Sequence, residues 1–112
     1  MTRNVISCLM FLILTVAAFQ ASAIDYTVKQ LDKAFVMDGK RIGKFEVKLG
    51  DIIHFENQDP WFHNIFSLSD TKTFDLGSYP KGESRAVTFD KAGKIEIECA
   101  IHPGMFMEVD VK

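Results

Sequence analysis

The chain has 112 residues with 13 basic side chains, 15 acidic side chains, three histidines and two cysteines. A formal charge of −2 without a basic cluster argues against nucleic-acid binding, because neutralising phosphates supplies most of that affinity. The length allows one small domain and excludes a multidomain enzyme.

The first 23 residues predict a signal peptide. They contain a single charge, Arg3, and an almost wholly apolar run over residues 5–19. Such a run is short for a membrane span and typical of a signal-peptide core. Residues 21–23 (Ala-Ser-Ala) form a small-x-small cleavage site, so residues 1–23 are predicted to be removed. The remaining domain, residues 24–112, is then expected in the periplasm with a charge of −3 and no membrane anchor.

Residues 24–112 predict short strands separated by turn signals, with no helical period longer than about one turn. Residues 70–80 are compatible with a loop, a short helix or an irregular strand. About seven or eight strands at hairpin spacing predict an all-β sandwich or small barrel. The predicted strands are a first one beginning at 26–28, then 34–37, 45–49, 53–57, 64–68, 85–89, 94–99 and 106–111.

The cysteine count is unusual for an exported domain. Cys8 would leave with the signal peptide, so the mature chain would keep only Cys99. Small exported domains normally carry cysteines in pairs that form disulfides. A single thiol in an oxidising compartment is a liability unless something occupies it, and a bound metal ion would do so.

Four side chains predict a metal site. Cys99 ends a strictly alternating strand, and His102 and Met105 follow it at steps of three residues within one hairpin loop, while His63 comes from a separate upstream loop. Two imidazoles and a thiolate with a weak thioether ligand are the set associated with electron-transfer copper. The sulfur ligands suit Cu(I) and the imidazoles also bind Cu(II), so both oxidation states are accommodated.

These residues resemble those of the cupredoxins, the type 1 blue copper proteins, and amicyanin more than plastocyanin or pseudoazurin. The resemblance covers about residues 45–112 and implies a Greek-key β-sandwich. It implies that His63, Cys99, His102 and Met105 bind one copper ion, and that Asn64 ties the His63 loop to the cysteine loop. The matching pieces are Asp51-x-Ile53-x-Phe55-x-Asn57, His63-Asn64, Gly93, Cys99-x2-His102-Pro103-x-Met105 and Val109-x-Val111.

The chain departs from the family pattern at several positions. Phe62 stands where the family often has proline, and Ala100-Ile101 replaces a Ser/Thr-Pro pair, which removes a hydroxyl partner for Asn64. Met107 lies at the axial spacing found in plastocyanin and is the alternative to Met105. We prefer Met105, because its distance from the Val109-x-Val111 strand matches the family, whereas Met107 is in phase with that strand and is expected in the core.

The resemblance implies a one-electron carrier rather than an enzyme, working between a donor dehydrogenase or cytochrome and an acceptor. Partners would dock near His102, and the protein is expected to be a monomer. Aromatic and apolar residues flank the two histidine loops, where either loop packing or a docking patch explains them. They are Pro60, Trp61, Phe62, Ile101, Pro103 and Phe106.

Other functions use the same residues. A copper delivery or storage protein could bind through this ligand set without electron transfer, although such proteins usually have Met- or His-rich open sites. A thiol enzyme with Cys99 as nucleophile would need a substrate cleft, for which 89 residues leave little room. Zinc could occupy the site, but methionine is a poor zinc ligand. His54 is out of phase with its apolar neighbours and is expected at the surface.

Overall fold

The computed structural model describes residues 12–13, 15 and 22–112. Within that part the chain forms ten strands and no helix, which confirms the predicted all-β class. No described helix has the length and apolar character needed to cross a membrane. The predicted signal peptide lies almost entirely outside the described residues. The strands are β1 (Asp25–Leu31), β2 (Ala34–Met37), β3 (Lys40–Arg41), β4 (Lys44–Val47), β5 (Ile52–Asn57), β6 (His63–Ser69), β7 (Lys72–Tyr79), β8 (Ser84–Thr88), β9 (Gly93–Cys99) and β10 (Phe106–Val111).

The strands form two five-stranded sheets, in the orders β3-β2-β1-β5-β8 and β4-β10-β9-β6-β7. The pairs β1–β5 and β4–β10 are parallel, and the other pairs are antiparallel. The chain passes repeatedly from one sheet to the other, as a β-sandwich requires. The chain has ten strands rather than the seven or eight predicted, and two of them explain most of the difference in number. β3 has only two residues, and β7 occupies the segment that the sequence left open.

Alternation of apolar and polar residues decides which face of each strand is buried. In β9, Ile95, Ile97 and Cys99 are buried while the glutamates between them are exposed, as predicted. Met107, in phase with the buried valines of β10, is fully buried and pairs opposite Ile97. The prediction that Met107 belongs to the core is therefore confirmed.

A buried carboxylate holds the start of the first sheet. Asp51 accepts hydrogen bonds from the backbone N–H of Ile24 (2.9 Å) and of Lys48 (2.8 Å). These two bonds lower the pKa of Asp51 below its ordinary value. The side chain thereby joins the beginning of β1 to the turn between β4 and β5.

Pairing between β6 and β9 determines where the predicted metal ligands lie. Ile65 of β6 is opposite Cys99 of β9, so His63 at the start of β6 lies near the end of β9. A register shift between Asn64 and Phe66 interrupts the pairing of β6 with β7 at the same place. Such irregularities re-aim side chains locally. The β5–β6 and β9–β10 loops therefore meet at one end of the sandwich.

Truncating a side chain in the core beneath this end should be costly. We expect Ile97→Ala to reduce the free energy of unfolding by about 2–5 kcal/mol, because it removes buried methyl groups and leaves a cavity. Urea unfolding followed by tryptophan fluorescence measures the change. The matched control is Glu96→Ala on the exposed face of the same strand, expected within about 0.5 kcal/mol of wild type. Equal effects of both variants would contradict the assignment of faces.

Candidate metal centre

Three of the four predicted ligands converge on one point. Cys99 Sγ lies 3.5 Å from His63 Nδ1 and 3.6 Å from His102 Nδ1, and the two Nδ1 atoms are 3.1 Å apart. His63 comes from the first residue of β6, Cys99 from the last residue of β9, and His102 from the loop that follows. Side chains distant in sequence thus present one sulfur and two nitrogen atoms to a common centre.

The spacing of these atoms suits a metal ion. A first-row ion lies about 2.0 Å from a coordinating imidazole nitrogen and about 2.3 Å from a thiolate sulfur. Donor atoms around one such ion are then about 3–4 Å apart, and all three separations fall in this range. A soft thiolate with two imidazoles favours copper or zinc over the hard cations Mg²⁺ and Ca²⁺.

Met105 lies in the same loop as His102. Its side chain is 3% exposed, and its backbone N–H donates to the carbonyl of His102 at 3.2 Å. The Met105 side chain is therefore enclosed and lies in the loop that carries His102, whereas Met107 belongs to β10. Coordination through Met105 stays a prediction.

The two histidines have different surroundings. His63 is fully buried, whereas His102 is only partly buried, and their ring centroids are 4.7 Å apart. Loss of solvation, followed by the nearby His63, lowers the pKa of His102. A lowered pKa favours the neutral ring, the form that binds a metal.

Asp59 lies behind His63. The ring Nε2 of His63 is 2.7 Å from Asp59 Oδ2, and both side chains are almost completely buried. When Nε2–H donates to this carboxylate, the Nδ1 atom carries the lone pair that faces Cys99 and His102. The carboxylate thus selects the tautomer of His63 that can act as a ligand through Nδ1.

The same carboxylate binds the turn between β1 and β2. Asp59 Oδ1 accepts from the backbone N–H of Asp32 at 2.7 Å, and Oδ2 accepts from that of Lys33 at 3.1 Å. Burial acts to raise the pKa of Asp59, but the hydrogen bonds from Lys33, His63 and Asp32 outweigh it, so the pKa is lowered. The three hydrogen bonds therefore favour the ionised form of this buried carboxylate.

The sequence matches a family of known copper proteins. The family model described as copper binding proteins of the plastocyanin/azurin family matches residues 26–112. The chain belongs to this cupredoxin family. Copper is therefore its cofactor, and the described residues contain one cluster of the required kind.

Relatives of this cupredoxin include the methylamine utilization protein MauL of Methylorubrum extorquens, which is 31% identical over 67 residues. The aligned part is 59% of this chain and 59% of MauL, less than two thirds of that relative. A solved structure of a reduced amicyanin variant has a TM-score of 0.69 at 20% identity, covering 83% of this chain and 87% of that one. A copper-containing nitrite reductase from Thermus scotoductus has a TM-score of 0.68 at 23% identity, covering 88% of this chain and 25% of the enzyme. These structures share the fold.

Asn57 organises the loop that carries Asp59 in this cupredoxin. Its Oδ1 accepts from the backbone N–H of Asp59 at 2.8 Å, and its Nδ2 donates to the carbonyls of Trp61 (2.8 Å) and Tyr79 (3.0 Å). The Asn57 side chain is fully buried; its bonds to Asp59 and Tyr79 are buried and its bond to Trp61 is partly buried. The loop between β5 and His63 is thereby held by one amide side chain.

The link from Asn64 to the cysteine loop is made by the main chain. The backbone N–H of Ala100 donates to the carbonyl of Asn64 at 2.9 Å. The buried Oδ1 of Asn64 has no hydrogen-bond partner within the described residues. This agrees with the expectation that Ala100 removes a hydroxyl partner that family members usually supply.

Four apolar side chains in and beside the two histidine loops are exposed. Trp61 is 38% exposed, Phe62 54%, Ile101 50% and Phe106 43%. The Trp61 and His102 ring centroids are 6.1 Å apart. Trp61 and Phe62 belong to the loop before β6, Ile101 to the loop after β9 and Phe106 to the start of β10, so exposed apolar side chains accompany both histidine loops.

Sequence reasoning missed two contributions to this site. Asp59 is not among the residues predicted for the site, although a ligating histidine commonly donates its second N–H to a carboxylate. Lys33 lies outside the region of family resemblance, yet its Nζ is 5.1 Å from the centre of the Trp61 ring. His54 contributes nothing here, since its Nε2 pairs with the exposed Asp25 at 2.9 Å.

Removing the Asn57 amide should loosen the ligand loop. We expect Asn57→Ala to lower the unfolding free energy of the metal-free protein by about 2–4 kcal/mol, because three hydrogen bonds of a buried side chain lose one partner. Urea unfolding measures this effect. Gln58→Ala is the matched control, expected to cost about 1 kcal/mol or less, since its side chain makes only a 3.4 Å contact with Glu56. A small effect of Asn57→Ala would contradict the role assigned to the amide.

Proposed function

We propose that this chain is a periplasmic one-electron carrier with a mononuclear type 1 copper centre. The observation that carries the proposal is the convergence of His63 Nδ1, Cys99 Sγ and His102 Nδ1 within 3.6 Å of one another in a member of a copper-binding family. Bound copper supplies the chemistry by alternating between Cu(II) and Cu(I).

We assign His63, Cys99 and His102 as the equatorial ligands and Met105 as the axial ligand. The buried positions of His63, Cys99 and Met105 support this assignment, because enclosed ligands exclude water as an additional ligand. Each ligand is attached to a strand end or to a loop of six residues between β9 and β10. Such attachments restrict movement of the ligands when the charge of the centre changes.

His102 provides the exposed edge through which electrons would pass. The exposed apolar side chains of the two histidine loops suit a weak partner complex, since electron-transfer encounters use small interfaces. We infer that donor and acceptor proteins, a dehydrogenase or a c-type cytochrome among them, dock near His102. The name of the relative MauL is compatible with a role in methylamine utilisation.

The proposal includes removal of a signal peptide. Residues 1–23 would act as a signal peptide and residues 24–112 as the mature domain, exported as a monomer. The proposed protein is not an enzyme, because every donor atom of the site belongs to the copper centre and partners would exchange only electrons with it.

Replacing the thiolate should abolish the colour of the copper protein. We expect oxidised copper-loaded wild type to absorb visible light intensely, because charge moves from the Cys99 thiolate to Cu(II). Cys99→Ser should lose this absorption, measured by visible and electron-paramagnetic-resonance spectroscopy. His54→Ala, which changes a surface histidine, should keep it. A colourless wild-type complex without a reversible redox couple would favour copper delivery or storage instead.

The two methionines of the last hairpin provide a test of the axial ligand. Met105→Leu should change the visible spectrum of the oxidised protein and weaken copper binding, because a donor sulfur is lost. Met107→Leu should leave the spectrum unchanged and cost less than about 1.5 kcal/mol of stability, as a volume-conserving core substitution does. The opposite pattern would assign Met107 as the ligand.

A further inference from the structure

The Asp59 carboxylate is one of the few buried charges in the described part of the chain. It is 1% exposed, and three hydrogen bonds surround it, from His63 Nε2 and from the backbone N–H groups of Asp32 and Lys33. Its only ion-pair partner among the described residues is the His63 ring. No lysine or arginine side chain in that part of the chain therefore neutralises it.

A buried anion beside a ligand ring acts on the copper site electrostatically. Charges interact more strongly in a protein interior than in water, because the effective dielectric constant is lower. The negative charge stabilises the more positive oxidation state of a neighbouring ion over the less positive one. The Nε2–H···carboxylate hydrogen bond acts in the same direction, because it raises the basicity of the ring nitrogen that binds the metal.

We propose that Asp59 is a positioning residue that holds the His63 ring and lowers the reduction potential of the copper centre. The inference rests on the proposed function and concerns the same site. With copper bound, one electron would pass from a partner protein to Cu(II) and give Cu(I), and the Asp59 carboxylate would neither transfer a proton nor form or break a bond. The carboxylate therefore favours Cu(II) throughout the cycle.

The turn between β1 and β2 supplies hydrogen bonds to the Asp59 carboxylate. Asp32 and Lys33 have φ angles of 51° and 56°, a left-handed conformation that asparagine and aspartate adopt more readily than lysine does. In this conformation both backbone N–H groups reach the Asp59 carboxylate. They offset the cost of burying it without adding a neutralising charge.

The first test replaces the charge with a neutral group of the same size. We expect Asp59→Asn, loaded with copper, to keep an intense visible band but to show a higher reduction potential in voltammetry. The shift should correspond to at least a tenfold change of the Cu(I)/Cu(II) equilibrium, which is about 59 mV for one electron. Asp59→Glu, which retains the charge, should have a potential closer to wild type than Asp59→Asn has.

The chain offers a matched control. Asp51 is also a buried carboxylate with two backbone N–H donors, but it bonds to Ile24 and Lys48 and touches no ligand. Asp51→Asn should destabilise the fold while leaving the potential unchanged within a twofold change of the equilibrium. An unchanged or lower potential in Asp59→Asn, or the same rise in both asparagine variants, would overturn the inference.

A second measurement on the wild-type protein covers the case in which Asp59→Asn does not fold. In the Cu(I)-loaded, ¹⁵N-labelled protein we expect the Nε2–H proton of His63 to resonate far downfield and to exchange slowly with solvent, because it is buried and bonded to a carboxylate. A His63 ring without this proton on Nε2 would overturn the inference. A colourless oxidised wild type would overturn the proposed function and this inference with it, whereas normal colour with an unshifted Asp59→Asn potential would overturn the inference alone.

Discussion

The antiparallel pairing of β6 with β9 is the constraint on which the copper site depends. Because Ile65 faces Cys99 across this ladder, His63 and the loop that carries His102 and Met105 meet at one end of the sandwich. A slip of one residue in this register would turn Cys99 away from the core and away from His63. The buried isoleucines of β9 prevent such a slip, since it would expose them to water.

The two histidines of the candidate site differ in their exposure to solvent. His63 is enclosed, and its outer nitrogen contacts a carboxylate that is itself bound to the first hairpin. His102 remains partly open, and exposed aromatic and aliphatic side chains accompany both histidine loops. In the proposed electron carrier, the enclosed His63 side would act on the copper ion and the more open His102 side would face partner proteins.

Polar groups inside the domain are concentrated around the ligand loop. Asn57 bonds to the Asp59 backbone, and Asp59 bonds to His63 and to the turn after β1. On the opposite side of Asn57, Gln30 donates to the hydroxyl of Tyr79 at 2.8 Å, and that hydroxyl donates to the Phe55 carbonyl at 3.2 Å. Burial raises the pKa of Tyr79 and keeps it protonated. This network holds a loop that lacks regular secondary structure.

Local sequence determined the class of the fold, the inward faces of β5, β9 and β10, and the ligand candidates, because alternation and ligand spacing are properties of short segments. It also placed Met107 in the core, since Met107 is in phase with a buried strand. Only the tertiary structure decided that Asp59 bonds to His63, that the Asp32–Lys33 turn supplies two donors to it, and that Lys33 lies over Trp61. These contacts join segments 26–28 residues apart, or form inside an irregular loop, so no periodic pattern encodes them. They arise from how the two sheets pack, and the strand β7 likewise formed because β6 offered it an edge to pair with.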